Sequence, residues 1–277
     1  MKSPNAPVTI IEPQKGWIPL HLKEVWQYRE LFYFLTKRDI KVRYKQTLLG
    51  GLWAVIQPVF TMIVFTLFFG RLAKIPSDGI PYPVFVYAAL LPWTYFANAV
   101  TASGNSLVGN ANLISKVYFP RIIVPASAAL SGLIDFMIAL AVLLGMMVYY
   151  QFIPGWGILL FPVLLLLTFL CALGVGLWLS ALNVHYRDIR YVIPFLVQLW
   201  LFITPVIYPV SLVPLPYRWL LALNPMGGLI SAYRATFLGS QTVNWSLLVI
   251  SAVVIILLLT TGLYYFNKVE KQFADVI

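Results

Sequence analysis

Residues 136–186 read FMIALAVLLGMMVYYQFIPGWGILLFPVLLLLTFLCALGVGLWLSALNVHY, 51 consecutive residues without Asp, Glu, Lys or Arg. A helix crosses a bilayer with about 20 apolar residues. The stretch is too long for one crossing and is broken at Gln151, Pro154 and Gly155. It therefore reads as two membrane helices joined by a tight turn. Helices are required because the hydrocarbon holds no water to satisfy backbone groups.

Charge-free windows mark the remaining crossings in the same way. Residues 46–70, 79–115, 191–217 and 235–267 carry no Asp, Glu, Lys or Arg. Six spans follow, near 50–70, 82–104, 122–149, 157–183, 191–210 and 245–267. The stretch 211–240 is apolar but holds Pro214, Pro216, Pro225, Gly227 and Gly228. It reads as short re-entrant or interfacial helices between spans five and six. The expected fold is thus all-α and polytopic. A cytoplasmic N-terminal segment (1–48) with an amphipathic interfacial helix precedes a six-span membrane domain (49–277).

Composition excludes the soluble classes. Of 277 residues, 61% are hydrophobic and 10% charged, against about 45–50% and 25% in soluble domains. Mean hydropathy is +0.85. The net charge of +10 does not point to nucleic acid, because the charges are too few to tile a groove. Their placement follows the positive-inside rule instead. Lys2, Lys15, Lys23, Arg29, Lys37, Arg38, Lys41, Arg43 and Lys45 precede the first span. Lys116 and Arg121 follow the second, Arg187 and Arg190 the fourth, and Lys268 and Lys271 the sixth. Only Arg71, Lys74, Arg218 and Arg234 fall on the other side. Both termini are expected in the cytoplasm. The basic first 45 residues do not resemble a secretory leader.

Catalytic and metal signatures are missing. The single Cys171 lies in an apolar run, and His21 and His185 are far apart, so no cluster has metal-ligand spacing. No G-x-x-x-x-G-K-[ST] phosphate loop occurs. ATP, if it drives transport, binds another subunit. The short loops 104–120 and 183–190 then offer docking elements, although simple helix connection accounts for them equally well. Residues 22–47 place Val25, Trp26, Phe32, Tyr33, Leu35 and Ile40 before a basic cluster. Such a helix lies among lipid headgroups; a plain basic flank is the simpler alternative.

Asp135 is the one acid expected within a span. An intramembrane charge is costly and marks a functional candidate, unless it is neutral or bonded to Ser127 or Ser131. Two stripes run at helical spacing. One is Gln57, Thr61, Phe65 and Phe68; the other is Tyr191, Phe195, Gln198 and Phe202. Rings stack on sugar faces and amides bond hydroxyls, so these stripes suit a glycan pathway. Interface anchoring is the plainer account of any single ring.

Four stretches together resemble a family. They are RDIKVRYKQTLLGGLWAVIQPV (38–59), SKVYFPRIIVP (115–125), NVHYRDIRYVIPFLVQLWLFITPVIYP (183–209) and LNPMGGLISAYRATFLG (223–239). In this order they are similar to the membrane subunit of bacterial ABC exporters of lipid-linked polysaccharide, among the type-2 ABC permeases. The resemblance covers about residues 25–270. It implies a homodimer in the inner membrane, with two separate ATP-binding subunits carrying ATP and Mg, and no cofactor in this chain. It implies ATPase coupling through Asn105, Asn110, Asn112, Lys116 and Tyr118, with a second contact at His185, Arg187, Asp188 and Arg190. Residues 211–239 would gate the outer face, and the two stripes would line a pathway between the copies. The cargo would be an undecaprenyl-diphosphate-linked glycan such as O-antigen, attracted at its entrance by Arg38, Lys41, Arg43 and Lys45. Teichoic acid, capsule, drug or lipid are alternative cargoes. A secondary carrier or channel is the rival class, disfavoured by the scarcity of intramembrane charge. A membrane-embedded lipid enzyme would need a carboxylate or His cluster that the sequence lacks. Residues 1–24 match no pattern of the family.

Overall fold

The computed structural model describes residues 22–45, 50–239, 242–270 and 273, and these form helices and connections with no strand. The expected boundary at residue 48, and the bases Lys2, Lys15 and Lys271, lie outside the described residues. The helices are α1 (Leu22–Gln27), α2 (Arg29–Lys45), α3 (Trp53–Phe65), α4 (Tyr82–Gly109), α5 (Ala111–Lys116), α6 (Ile123–Ser131), α7 (Leu133–Tyr149), α8 (Phe161–His185), α9 (Ile189–Ile203), α10 (Arg218–Leu223), α11 (Pro225–Leu238) and α12 (Trp245–Glu270).

Five helical stretches among the described residues are long and apolar enough to cross a bilayer: Gly50–Leu72, Tyr82–Gly109, Ile123–Tyr149, Trp156–His185 and Trp245–Glu270. The first continues α3 through a wider π-helical turn, Thr66–Leu72. The third is α6 and α7, divided at Gly132. Proline sits in the first turn of α4, α8 and α11, where a missing N–H costs no helical bond.

The fifth expected span is shorter than the sequence reading gave. In place of 191–210, α9 has 15 residues, about 22 Å at 1.5 Å per residue. It stops at Ile203 because Thr204 precedes Pro205 and is driven into extended backbone, at φ −85° and ψ 139°. The chain then turns through 204–209 at the end of the bundle opposite α2.

α4 is the central post. It packs on α3, α6, α7, α8, α9 and α11, and a row of its residues from Val84 to Leu91 is almost wholly buried. α12 closes against α8 through glycines. A Cβ on Gly262 would lie 2.6 Å from the Gly174 carbonyl, and one on Gly174 would lie 2.9 Å from the Leu259 nitrogen. Small residues at such crossings let backbones approach closely enough for dispersion to hold them in lipid.

The expected amphipathic helix is present as α1 and α2, with a turn at Tyr28. It is docked on protein along one flank. α2 packs on α6. Leu35 is buried in a cluster with Ile114, Phe119, Ile123, Phe266 and Phe273, and Val25, Leu31 and Phe32 pack against that cluster. Trp26, Tyr33, Phe34 and Val42 remain exposed on the other flank, where lipid can cover them.

Candidate functional site: an intramembrane polar cavity and the basic end

Asp135 lies in the first turn of α7, twelve residues beyond the start of α6 and so about 18 Å along the span. Its carboxylate accepts hydrogen bonds from Arg43 Nη1 and Tyr44 Oη, both at the end of α2. Arg43 Nη2 also donates to Ser131 Oγ at 3.4 Å. The intramembrane acid is thus paired with a base brought from 92 residues away. Of the two serines offered as its partners by the sequence, Ser131 joins the cluster through Arg43. Ser127 bonds the Val124 carbonyl instead. The Tyr44 hydroxyl is held above its ordinary ionisation range, by burial first and then by its bond to the Asp135 carboxylate.

This ion pair forms one wall of a cavity of about 480 Å³ between α2, α3, α4 and α7. Gln57 and Trp53 of α3 enter it, as do Thr94, Asn98, Thr101 and Asn105 of α4. The four α4 residues recur at i, i+4, i+7 and i+11, one face of a helix. That periodic polar stripe was available in the sequence and is the signal that would have found the cavity.

The basic end of the bundle carries the expected coupling residues. Asn112, Lys116 and Tyr118, in and just after α5, are exposed, as are Arg187, Asp188 and Arg190. His185 is half-buried at the end of α8. Asn105 and Asn110 face inward. Asn105 Oδ1 accepts from Asn183 at 3.1 Å, and Asn110 Oδ1 accepts from Arg38 Nη2 at 2.8 Å. Arg121 ties the following loop to Glu270 of α12, its backbone N–H donating to the carboxylate at 3.1 Å.

The four entrance bases divide. Lys41 and Lys45 are exposed. Arg38 is held by Asp39 at 2.8 Å and by Asn110, and Arg43 by Asp135. The second stripe stays together, with Tyr191, Phe195, Gln198 and Phe202 all exposed on α9. The first divides. Gln57 opens on the cavity, Thr61 is half-buried, Phe65 packs edge-on to Phe69 at 5.4 Å, and Phe68 is exposed. α3 packs on α4 and α7 whereas α9 packs on α4 and α8, so the two stripes do not meet within one chain.

At the opposite end α11 is buried along nearly its whole length. Asn224 caps it, accepting from the Met226 N–H at 3.1 Å. Arg234 replaces an ionic partner with carbonyls. It donates to Phe85 at 3.1 Å, Pro205 at 2.8 Å and Val206 at 2.6 Å, and its guanidinium lies 3.5 Å from the centre of the Phe85 ring. One charge thereby fastens α11, α4 and the turn after α9.

Among the described residues no group of three or more His, Cys, Asp or Glu side chains could hold a metal. Membrane-length helices, a polar cavity within them and exposed short helices at one end define a multi-pass helical membrane protein. Residues 30–238 match the ABC-2 type transporter family, and the chain belongs to it. It is 32% identical over 92% of its length to 98% of the O-antigen export system permease protein RfbA of Myxococcus xanthus. It is 30% identical over 90% of its length to 95% of a protein of the same name from Klebsiella pneumoniae. It is 26% identical over 71% of its length to 77% of the polysialic acid transport protein KpsM of Escherichia coli. The chain is accordingly an ABC-2 type permease.

Proposed function

We propose that this chain is the permease half of an ATP-driven exporter that carries an undecaprenyl-diphosphate-linked, O-antigen-like glycan across the bacterial inner membrane. The single observation that carries the cargo is the end-to-end likeness to O-antigen export permeases. The likeness to a polysialic acid transport protein is weaker and covers less of the chain, which places capsule second.

In this reading the basic end faces the cytoplasm with both termini, which the charge asymmetry supports. ATP and Mg are bound by two partner ATPase subunits, and the exposed surface of α5 with Tyr118, together with Arg187, Asp188 and Arg190, meets them. A second copy of the chain supplies the other wall of the glycan pathway against the exposed faces of α3 and α9. Lys41 and Lys45 are the bases left to attract the lipid diphosphate, since Arg38 and Arg43 already have protein partners. The test is deletion of the gene followed by complementation. Surface glycan disappears and lipid-linked glycan accumulates in the deletion strain, and the wild-type gene restores export. Unchanged surface glycan in the deletion strain overturns the reading.

A further inference from the structure

We infer that the cavity between α2, α3, α4 and α7 is a saccharide-binding subsite for the sugar next to the lipid anchor, built from the residues of one copy. The inference rests on the proposed glycan cargo for the identity of the ligand, and on the cavity itself for the chemistry.

Three polar groups in the cavity have no hydrogen-bond partner among the described residues: the amides of Gln57 and Asn98 and the hydroxyl of Thr94. All three lie in membrane-spanning helices. Gln57 and Asn98 are exposed and line the cavity. A polar group in hydrocarbon without a partner costs several kcal/mol, so a polar occupant of the cavity is favoured over lipid. Two amides and a hydroxyl offer both donors and acceptors, which match the hydroxyls of a pyranose. The rings match its other face. Trp53 is 55% exposed and lines the same cavity as the Tyr44 ring. An indole beside a set of amides provides the apolar body and polar rim that a sugar presents. The volume of about 480 Å³ falls in the range of about 300–1,000 Å³ found for small-ligand pockets. The remaining wall, Arg43 with Asp135, is already neutralised, so the site selects hydroxyls rather than net charge.

The test uses the purified chain in nanodiscs and three probes: a polyprenyl-diphosphoryl hexose, the polyprenyl diphosphate without sugar, and phosphatidylglycerol. The hexose-bearing lipid is expected to bind about tenfold or more tightly than the bare diphosphate. Asn98→Ala and Gln57→Ala each weaken it about five- to tenfold, the loss of one or two net hydrogen bonds. Neither changes the affinity of the bare diphosphate. Melting temperature and particle mass are recorded for both variants, and either variant alone suffices if the other does not fold. Equal affinity for both diphosphate lipids in the wild type overturns the subsite. So does equal competition by phosphatidylglycerol, which would mark a phospholipid headgroup site. A variant that splits the assembled particle also overturns it, since the amides would then be contacts between copies. These failures are distinct from failure of the exporter reading. If the variants bind sugar lipid normally while the deletion strain still loses surface glycan, the subsite falls and the exporter stands.

Discussion

Breaking the Arg43–Asp135 pair is expected to unseat the end of α2 from the third span. Asp135→Ala removes a carboxylate that accepts from both Arg43 and Tyr44. Each hydrogen bond to a charged group contributes about 1.5–3 kcal/mol, and leaving one charge of a fully buried pair unpaired costs about 3–5 kcal/mol. The two side chains are 35% and 20% exposed, so solvent takes part of that cost. A loss of about 2–3 kcal/mol results. Arg43→Ala leaves Asp135 with the Tyr44 hydroxyl as its remaining donor and costs about the same. The double variant Arg43→Gln/Asp135→Asn keeps the volumes and removes both charges. It should cost about 1 kcal/mol, less than either single truncation. At about 2–4 °C per kcal/mol for a chain of this size, the single variants melt about 5–10 °C lower and the double about 2–4 °C lower. The assay is thermal unfolding of the purified chain in nanodiscs, with Arg43→Gln, Asp135→Asn and their double variant read as a thermodynamic cycle. Single losses that simply add in the double variant would refute the pairing.

Further outcomes follow from the same geometry. Tyr44 holds its proton more tightly in the fold, so its stabilising contribution is complete below the ordinary tyrosine range near pH 10. Above that range the unfolded chain ionises first, and stability falls; Tyr44→Phe should lose this part of the decline when melting is compared at pH 9 and pH 11. Gly262→Ala drives a methyl group onto the Gly174 carbonyl, which cannot move without parting α8 and α12. A loss of about 1–3 kcal/mol is expected, read as a lower melting temperature. Arg234→Met strips donors from three carbonyls and should cost about 3 kcal/mol or more. Arg234→Lys restores only part, because an ammonium cannot reproduce the planar fork; folded yield by size-exclusion chromatography is the readout.

The membrane spans were legible because charge is nearly prohibited in hydrocarbon, so its gaps mark helices almost to the residue. The expected 122–149 and 157–183 became Ile123–Tyr149 and Trp156–His185. The fifth span was misjudged in length because an apolar window says nothing about backbone. Thr204 and Pro205 end α9 by steric conflict, which hydropathy does not register. The partner of Asp135 was invisible for another reason. Local spacing offered Ser127 and Ser131, whereas Arg43 and Tyr44 arrive through the docking of α2 on α6. The same docking ties Arg38 of α2 to Asn110, the residue that precedes α5. The polar stripe of α4 was legible too, because Thr94, Asn98, Thr101 and Asn105 recur at helical spacing.

The most direct measurement of the central claim uses inside-out membrane vesicles that contain the chain and its ATPase partner, loaded from outside with a labelled lipid-linked glycan. The account predicts that ATP moves the glycan to the lumenal leaflet, and that vesicles lacking the chain, or given a non-hydrolysable nucleotide, move none. Glycan transfer that proceeds at the same rate without ATP, or without the chain, would contradict it.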